Sequence, residues 1–333
     1  MKKLLLIPII IVLTFISCSK ESKNEVTVYT TVDQIFSEPI LKDFEKETGI
    51  KIKAIFDTEE TKSTGVLNRI IAEKNNPHCD VFWSGDPIRA IVLKNRGITM
   101  EYNSPIAKDI TQNFKDKEHH WIGFSARARV LIYNKKLLKA KDIPESIFDL
   151  LDKRYIGKFA IANPLFGTTS FHFASWFSTF GDEKAKELLA GFKQNGILIA
   201  TSNGDVKKRV LNGEIACGLT DTDDAFVAME ESKDMGIVFL DQKGIGSLIM
   251  PNSVSLMKNS PNIANGKRLI DYLLSKETEK KLAISSAQMP LHKGVETPST
   301  VPSLDNIVAM KIDYEKSSRK LEEIQEYLKK WGE

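Results

Sequence analysis

Five aspartates stand just after predicted strands, where their carboxylates could share one site. Asp33 follows the first predicted strand and Asp86 the third, while Asp221, Asp223 and Asp224 follow a later one. Neighbouring carboxylates repel one another unless a cation neutralises them. We therefore expect these residues to bind a cationic partner, either a metal ion or an amine. The alternative is that Asp221 and Asp223 cap a helix that begins near Asp224.

A second group of residues is suited to an anion. Gly167, Thr168 and Thr169 precede a predicted helix, whose start offers unpaired backbone N–H groups and the positive end of its dipole. Arg127 and Arg129 lie two residues apart on one predicted strand and share its face. A guanidinium fork suits carboxylate, carbonate or phosphate. The alternatives are an ordinary helix cap for the threonines and structural ion pairs for the arginines.

Strand and helix signals alternate through the elements that must position these residues. The first part reads as strand 26–30, a helix from Ser37, strand 50–56, helix 66–74 and strand 80–84. Ser37 and Pro39 are typical of a helix start, and Gly49 of a helix end. This β-α-β-α-β order predicts a parallel sheet with helices on both faces, whose ligands bind at the carboxyl ends of the strands.

The rest of the chain predicts a second sheet. We expect strands at 128–134, 158–162, 214–220 and 248–257, and helices at 170–180, 182–195, 205–212, 263–275 and 313–330. The fold class is α/β with two lobes, each a mostly parallel sheet flanked by helices, and a ligand cleft between them. The expected division is a signal peptide 1–17, a linker 18–25, one lobe from 26–126 plus 247–333, and another from 127–246. The terminal helix could pack on the second lobe.

The N-terminus predicts export and lipid attachment. Lys2 and Lys3 precede an apolar run over residues 4–16, which is shorter than the roughly 20 residues a membrane-spanning helix needs. Ser17 and Cys18 then match a signal peptide that is cleaved before a lipid-bearing cysteine. We predict a palmitate-type anchor at Cys18 and a membrane-anchored lipoprotein on the periplasmic or cell-surface side. The alternative is an ordinary signal peptide with a chance cysteine.

Composition and motifs argue against several classes. The chain has 47 Lys+Arg, 44 Asp+Glu and a formal net charge of +3, with no basic tract of the kind that binds nucleic acid. It has no G-x-S-x-G, H-E-x-x-H, Walker or dinucleotide-binding motif, which favours a non-enzyme over a hydrolase. A surface antigen is a further alternative. Cys79 and Cys217 lie beside apolar residues and are expected to be free thiols.

Eight segments, in order along nearly all of the predicted mature chain, resemble bacterial ABC-transporter solute-binding proteins, and more narrowly their ferric-iron-binding branch. The segments are 28–33, 44–51, 80–86, 127–134, 162–164, 167–169, 218–224 and 270–275. The resemblance implies a two-lobed, monomeric protein that closes over a small solute or metal and passes it to ABC permease and ATPase subunits. Its only membrane contact would be the lipid.

The resemblance also implies a cargo and its ligands. In that family ferric iron is bound with a synergistic carbonate or phosphate, which lies where this chain has Gly167–Thr169, and an arginine can assist. The family's metal ligands are a histidine or other group, a glutamate and a tyrosine pair. Here those positions hold Asp33, Asp86 and the pair Asp223 and Asp224, so the tyrosine pair is absent.

Two cargoes fit these residues. Fe³⁺ prefers anionic oxygen ligands, which several aspartates and a bound anion could supply. Alternatively, the carboxylates could hold the ammonium of an aminoalkylphosphonate or a similar zwitterion, while the arginines and the helix start hold its phosphonate. Ferric iron is the first expectation and the zwitterion the second.

Overall fold

The computed structural model describes residues 24–57 and 64–333. The predicted signal peptide and Cys18, the predicted lipid-attachment residue, lie outside these residues. Within the described ranges, no helix is both long and apolar enough to cross a membrane.

In the described part of the chain, ten strands form one mixed sheet. They are β1 Glu25–Thr30, β2 Lys51–Phe56, β3 Val81–Ser84, β4 Thr99–Met100, β5 Ile122–Asn134, β6 Phe159–Ala162, β7 Leu198–Ala200, β8 Cys217–Asp221, β9 Met235–Val238 and β10 Ile249–Met257. Their order is β2-β1-β3-β10-β5-β8-β6-β7, with β4 also paired to β10 and β9 to β5.

Helices cover this sheet. They are α1 Gln34–Thr48, α2 Thr64–Ala72, α3 Pro87–Asn95, α4 Gly167–Phe180, α5 Asp182–Gln194, α6 Asn203–Leu211, α7 Thr222–Glu231, α8 Ile263–Leu273, α9 Lys276–Ser286, α10 Tyr314–Glu323 and α11 Gln325–Gly332. Short 3₁₀ turns join several of these elements.

The pairing of the strands confirms the predicted α/β fold with helices flanking parallel strands. The two sheets that the sequence predicted are, however, two halves of one mixed sheet. Strand β1 is parallel to β2 and β3, and β6 is parallel to β7 and β8. Strands β5 and β10 run antiparallel to their neighbours and lie between these two parallel groups. The carboxyl end of β3 therefore lies beside β10, and the carboxyl end of β8 lies beside β5.

Strand β5 passes from one half of the sheet to the other. Its first part, to Ala128, pairs with β10, and its second part, from Arg129, pairs with β8 and β9. The predicted strand at 128–134 captured only this second part. Ser125 has a φ of 41°, a value unusual for a non-glycine residue, and the register opposite it shifts between Pro251 and Asn252. This irregularity breaks the alternation of side chains between the two faces of the strand, on which strand prediction from sequence depends.

Helix α1 corrects one predicted start. It begins at Gln34 rather than near Ser37, so Pro39 lies inside the helix. The Ser37 hydroxyl donates to the Val32 and Asp33 carbonyl oxygens and does not cap the helix. The predicted end is confirmed, because Gly49 has a φ of 67° and its N–H donates to the Glu45 carbonyl, as glycine readily does at a helix C-terminus.

The predicted terminal helix 313–330 is two helices that meet at Ile324. Helix α10 packs against both α3 and α4. Trp331, in α11, donates its indole N–H to the Leu189 carbonyl of α5 at 2.9 Å and contacts Phe173 of α4 edge to face. The chain end thus packs against α4 and α5, as the sequence allowed, and the exact lobe boundaries stay a prediction.

Two large apolar clusters form the core. One includes Phe44, Trp83 and Leu269, and the other includes Phe173 and Trp176. Cys79 and Cys217 are buried free thiols, and burial raises the pKa of both. These thiols serve as small apolar side chains, as expected.

Candidate functional site

Two buried arginines on β5 form the centre of the site. Arg127 and Arg129 alternate with Ala128 along the strand, so their side chains leave the same face. Only 6% of Arg127 and 2% of Arg129 is exposed. A buried guanidinium needs compensating partners. Arg129 finds a carboxylate on β8, and Arg127 finds carboxylates on β8 and α7.

Arg129 is paired with Asp221. The two residues are register partners on the antiparallel strands β5 and β8, and Arg129 Nη1 donates to Asp221 Oδ1 at 2.7 Å. Arg127 Nη1 lies 3.4 Å from Asp221 Oδ2 and 3.2 Å from Asp223 Oδ2. Burial opposes the charged form of Arg127, but the carboxylates of Asp223, Asp221 and Asp33 outweigh it and raise its pKa.

Gly85 lets Arg127 reach across to β3. Arg127 Nη2 donates to the Gly85 carbonyl at 2.6 Å. A Cβ at position 85 would lie only 2.7 Å from that same nitrogen. Glycine is therefore required at this position for the arginine to keep its place.

The start of α4 supplies hydroxyl donors beside the arginines. The helix begins at Gly167, and the residue before it, Phe166, provides no side-chain cap. Thr168 and Thr169 are buried in its first turn. Thr168 Oγ1 donates to Asp221 Oδ2 at 2.7 Å. The sequence predicted a helix start at residue 170, three residues later. In the structure these threonines belong to the helix and not to the loop before it.

Asn203, at the start of α6, completes this group and was missed by sequence reasoning. Its Nδ2 donates to Thr168 Oγ1 at 2.8 Å and to Asp221 Oδ2 at 3.2 Å, and its Oδ1 accepts from Arg129 at 3.0 Å. Asn203 lies three residues after the end of β7. A polar residue soon after a strand was the signal that could have identified it. We call Arg127, Arg129, Thr168 and Asn203 the oxyanion site, because their donors converge on one carboxylate.

We call Asp33, Asp223 and Asp224 the carboxylate cluster, because the charges of Asp33 and Asp223 both act on Asp224. Asp223 Oδ1 accepts the backbone N–H of Asp224 at 3.0 Å. Asp224 accepts from Thr220 Oγ1 at 3.2 Å and lies 3.5 Å from Lys207 Nζ. Burial, together with the charges of Asp223 and Asp33, raises the pKa of Asp224 to about 7, although Lys207 lowers it. The carboxyl ends of β1 and β8 are thus electrostatically coupled.

Asp86 does not join this cluster. It is the N-cap of α3, where Oδ1 accepts the Arg89 N–H and Oδ2 pairs with Arg89 Nη1 at 2.7 Å. Arg89 Nη2 also donates to Ser170 Oγ at 2.6 Å, which links α3 to α4. Asp86 is wholly buried and acts in this structure as a helix cap and ion-pair partner.

The helix-cap alternative for the β8 aspartates is answered in part. Helix α7 begins at Thr222 rather than near Asp224, so Asp221 is its N-cap residue. The Asp221 side chain makes no cap hydrogen bond, because its oxygens accept from the oxyanion site.

Among residues 24–57 and 64–333, no group of three or more His, Cys, Asp or Glu side chains is arranged to hold a metal ion.

His172 and a neighbouring cavity border the site. Arg129 Nε donates to His172 Nδ1 at 3.4 Å, and burial together with the charge of Arg129 holds the pKa of His172 well below its usual value. A cavity of about 350 Å³ lies between α7 and α9, with Asp223 and Phe226 in its wall. Of the three residues in the carboxylate cluster, Asp223 alone lines this cavity.

Known proteins share both the sequence pattern and the fold of this chain. A family model described as bacterial extracellular solute-binding protein matches residues 40–309. The chain belongs to this family. Iron uptake protein A1 of Synechocystis sp. is 25% identical to this solute-binding protein, over 84% of this chain and 79% of the relative.

Two further likenesses are to proteins whose names state different solutes. A putative 2-aminoethylphosphonate-binding periplasmic protein of Salmonella typhi is 30% identical over 77% of this chain and 74% of its own length. The ferric binding protein from Campylobacter jejuni superposes with a TM-score of 0.84 over 92% of this chain and 99% of its own, at 22% identity. At that identity the structural likeness shows the fold alone.

Proposed function

We propose that this protein is the solute-binding component of an ABC importer and that its cargo unites a cationic centre with an oxyanion. The observation that carries the proposal is the contact between the carboxylate cluster and the oxyanion site. Asp223 belongs to the cluster, and its Oδ2 lies 3.2 Å from Arg127 Nη1 in the oxyanion site. A cargo with only one sign of charge would match only one of these two groups.

The carboxylate cluster is suited to the cationic part. A carboxyl group whose pKa is raised by neighbouring carboxylates is stabilised when a cation arrives. Asp224, with its pKa near 7, is such a group. We propose that Asp33, Asp223 and Asp224 face this cationic part. Among the described residues they do not form a ready-made metal site, so binding of ferric iron would require them to move closer together. Asp86 would act behind them by holding Arg89 in place.

Ferric iron with carbonate or phosphate is the first candidate cargo. Carboxylates are suitable hard ligands for Fe³⁺, and one relative is named an iron uptake protein. Arg127 and Arg129 add two positive charges beside these carboxylates. A trivalent ion would therefore need an accompanying anion, which the oxyanion site and the start of α4 would hold.

An aminoalkylphosphonate is the second candidate. The guanidinium and hydroxyl donors of Arg127, Arg129 and Thr168 are suited to phosphonate oxygens, while the carboxylate cluster would bind the ammonium. The relative at 30% identity carries a name of this kind. This cargo needs no accompanying ion, because both charges belong to one molecule.

Isothermal titration calorimetry separates these candidates. The purified protein is titrated with ferric citrate, with Fe³⁺ in carbonate or phosphate buffer, and with 2-aminoethylphosphonate. We expect one of the two candidate cargoes to bind with one-to-one stoichiometry. The double variant Asp223→Asn/Asp224→Asn should lose this affinity. Asp234→Asn is the matched control, because Asp234 pairs with Lys136 at an exposed position. Unchanged affinity in the double variant would contradict the proposed role of these carboxylates.

We further propose that Cys18 carries a lipid and that the polar residues after it tether the protein beside its permease. A tether raises the effective concentration of the receptor at the permease. Labelling of the producing cells with a palmitate analogue should mark the wild-type protein and not Cys18→Ser. A labelled Cys18→Ser protein, or an unlabelled wild type, would contradict this.

A further inference from the structure

Asp221 occupies the oxyanion site with its own carboxylate. Its Oδ1 accepts from Arg129 Nη1 at 2.7 Å. Its Oδ2 accepts from Thr168 Oγ1 at 2.7 Å, from Asn203 Nδ2 at 3.2 Å and, at a longer 3.4 Å, from Arg127 Nη1. Donors from β5, α4 and α6 thus converge on one side chain that is only 2% exposed.

Helix capping does not explain this placement. Asp221 is the N-cap residue of α7, and aspartate there commonly accepts a backbone N–H from the first turn. Here the side chain makes no such hydrogen bond. Its acceptor capacity is directed at the oxyanion site instead.

The site also retains donor capacity. Arg127 Nε is buried and has no hydrogen-bond partner among the described residues, although most buried donors in proteins are satisfied. The contacts with Asp221 therefore do not use the whole donor capacity of Arg127.

We infer that Asp221 is a specificity-determining residue that holds the oxyanion site as an internal anion until a cargo with both charges displaces it. The inference rests on the proposed function of the same site. A free oxyanion such as phosphate would have to replace the Asp221 contacts and leave a buried carboxylate without partners, which is costly. A cargo that also places a cation among Asp33, Asp223 and Asp224 gains a second interaction that offsets this loss.

The inference predicts that inorganic oxyanions are rejected because of Asp221. Asp221→Asn keeps the size of the side chain but removes its charge, so Arg127 and Arg129 are left with a deficit of negative charge. We expect this variant to bind inorganic phosphate at least about tenfold more tightly than the wild type, since charge-assisted hydrogen bonds to two guanidinium groups become available.

The experiment is a calorimetric titration of wild type and Asp221→Asn with inorganic phosphate alone. Thr168→Val added to Asp221→Asn removes a donor and should reverse part of the gain, while Asp234→Asn should behave as the wild type. Asp221→Ser is titrated in the same way. If Asp221→Asn fails to fold, the serine variant should show the same gain of at least about tenfold in phosphate affinity.

One result would overturn the inference: a folded variant at position 221 that binds phosphate no more tightly than the wild type. Because this titration contains neither iron nor phosphonate, it reports on Asp221 alone. Absence of wild-type binding to both of those cargoes would instead count against the proposed function.

Discussion

Arg129 and Asp221 are register partners on antiparallel strands, and 2.7 Å separates Arg129 Nη1 from Asp221 Oδ1. Both side chains are almost fully buried. The pair joins the strand that passes between the two halves of the sheet to the strand that carries the acidic residues. Its charges therefore matter for stability as well as for cargo.

Breaking this pair from one side should be strongly destabilising. Arg129→Gln leaves the Asp221 carboxylate buried with weaker compensation, which typically costs about 3–5 kcal/mol. Urea denaturation should show this loss, and Arg129→Gln/Asp221→Asn should recover part of it because no uncompensated charge remains. Arg154→Gln, at an exposed ion pair, should change stability by less than about 1 kcal/mol. A single variant as stable as the double variant would contradict the importance of the pair.

Asp224 should make the empty protein less stable as pH rises. Its pKa is about 7 in the folded chain, against an ordinary value of 3.8. The unfolded chain therefore loses this proton first, and the folded state loses stability as pH rises from about 4 to about 7. Asp224→Asn removes the penalty, so its stability relative to wild type should rise across this window by on the order of 1–3 kcal/mol. Thermal melts measure this. A difference in stability between Asp224→Asn and wild type that is the same at pH 5 and at pH 8 would contradict the prediction.

The same carboxyl should link cargo binding to proton release. A cation among Asp33, Asp223 and Asp224 favours the ionised form of Asp224, so affinity should rise with pH until about pH 7. The rise should be at most about tenfold for each pH unit. Calorimetry in buffers of different ionisation enthalpy should detect released protons near pH 6 for wild type and fewer for Asp224→Asn. Equal proton release by both proteins would rule out Asp224 as the linked group.

Gly85→Ala should displace Arg127. The added Cβ would lie 2.7 Å from Arg127 Nη2, and the guanidinium would also lose its hydrogen bond to the Gly85 carbonyl. We expect a loss of about 1–3 kcal/mol in stability, as in other overpacked positions, together with weaker cargo binding. Gly244→Ala is the control, because its Cβ would meet nothing closer than the Asp241 carbonyl oxygen at 3.7 Å. Comparable affinities for the two variants would contradict a positioning role for Gly85.

His292 should give a second pH dependence away from the site. Its Nδ1 lies 2.9 Å from the buried Glu279 carboxylate, which also accepts the backbone N–H groups of Ser125, Leu291 and His292. Burial opposes the charged imidazole, but Glu279 and the Ile106 carbonyl raise its pKa above 6.5.

The raised pKa fixes the sign of that effect. The stabilisation by protonated His292 is fully present below about pH 6.5 and is lost as pH rises through the folded-state pKa. His292→Gln should be less stable than wild type at pH 5.5, and the difference should shrink at pH 9. Urea denaturation at both pH values measures this. A difference that grows with pH would show that the histidine is stabilising in its neutral form.

The sequence was sufficient to predict much of the framework. Alternation of strands and helices predicted the parallel groups, and Arg127 and Arg129 were placed on one strand face because residues two apart must share it. Thr168 and Asp221 were expected to bind ions from their positions at element ends. These inferences depend only on local spacing.

What the sequence could not predict depends on contacts between distant elements. Asp221 was expected beside a cation, yet it accepts hydrogen bonds from Arg129 because β5 and β8 bring the two into register. Asp86 was grouped with the cluster, yet it pairs with Arg89 of α3, a helix that was not predicted. Asn203 was overlooked because strand β7 was not predicted and the predicted helix began two residues later, at residue 205. Partner choice of this kind is set by strand order and packing.

Native mass spectrometry of the protein purified from its own producer, with analysis of bound iron and phosphorus, tests the central claim most directly. We predict one cargo per chain that carries both charges, either iron with an oxyanion or a phosphonate with an amine. Denaturation should release it, and Asp223→Asn/Asp224→Asn should be recovered empty. A chain that carries only a plain inorganic anion, or a cargo retained by the double variant, would contradict the account.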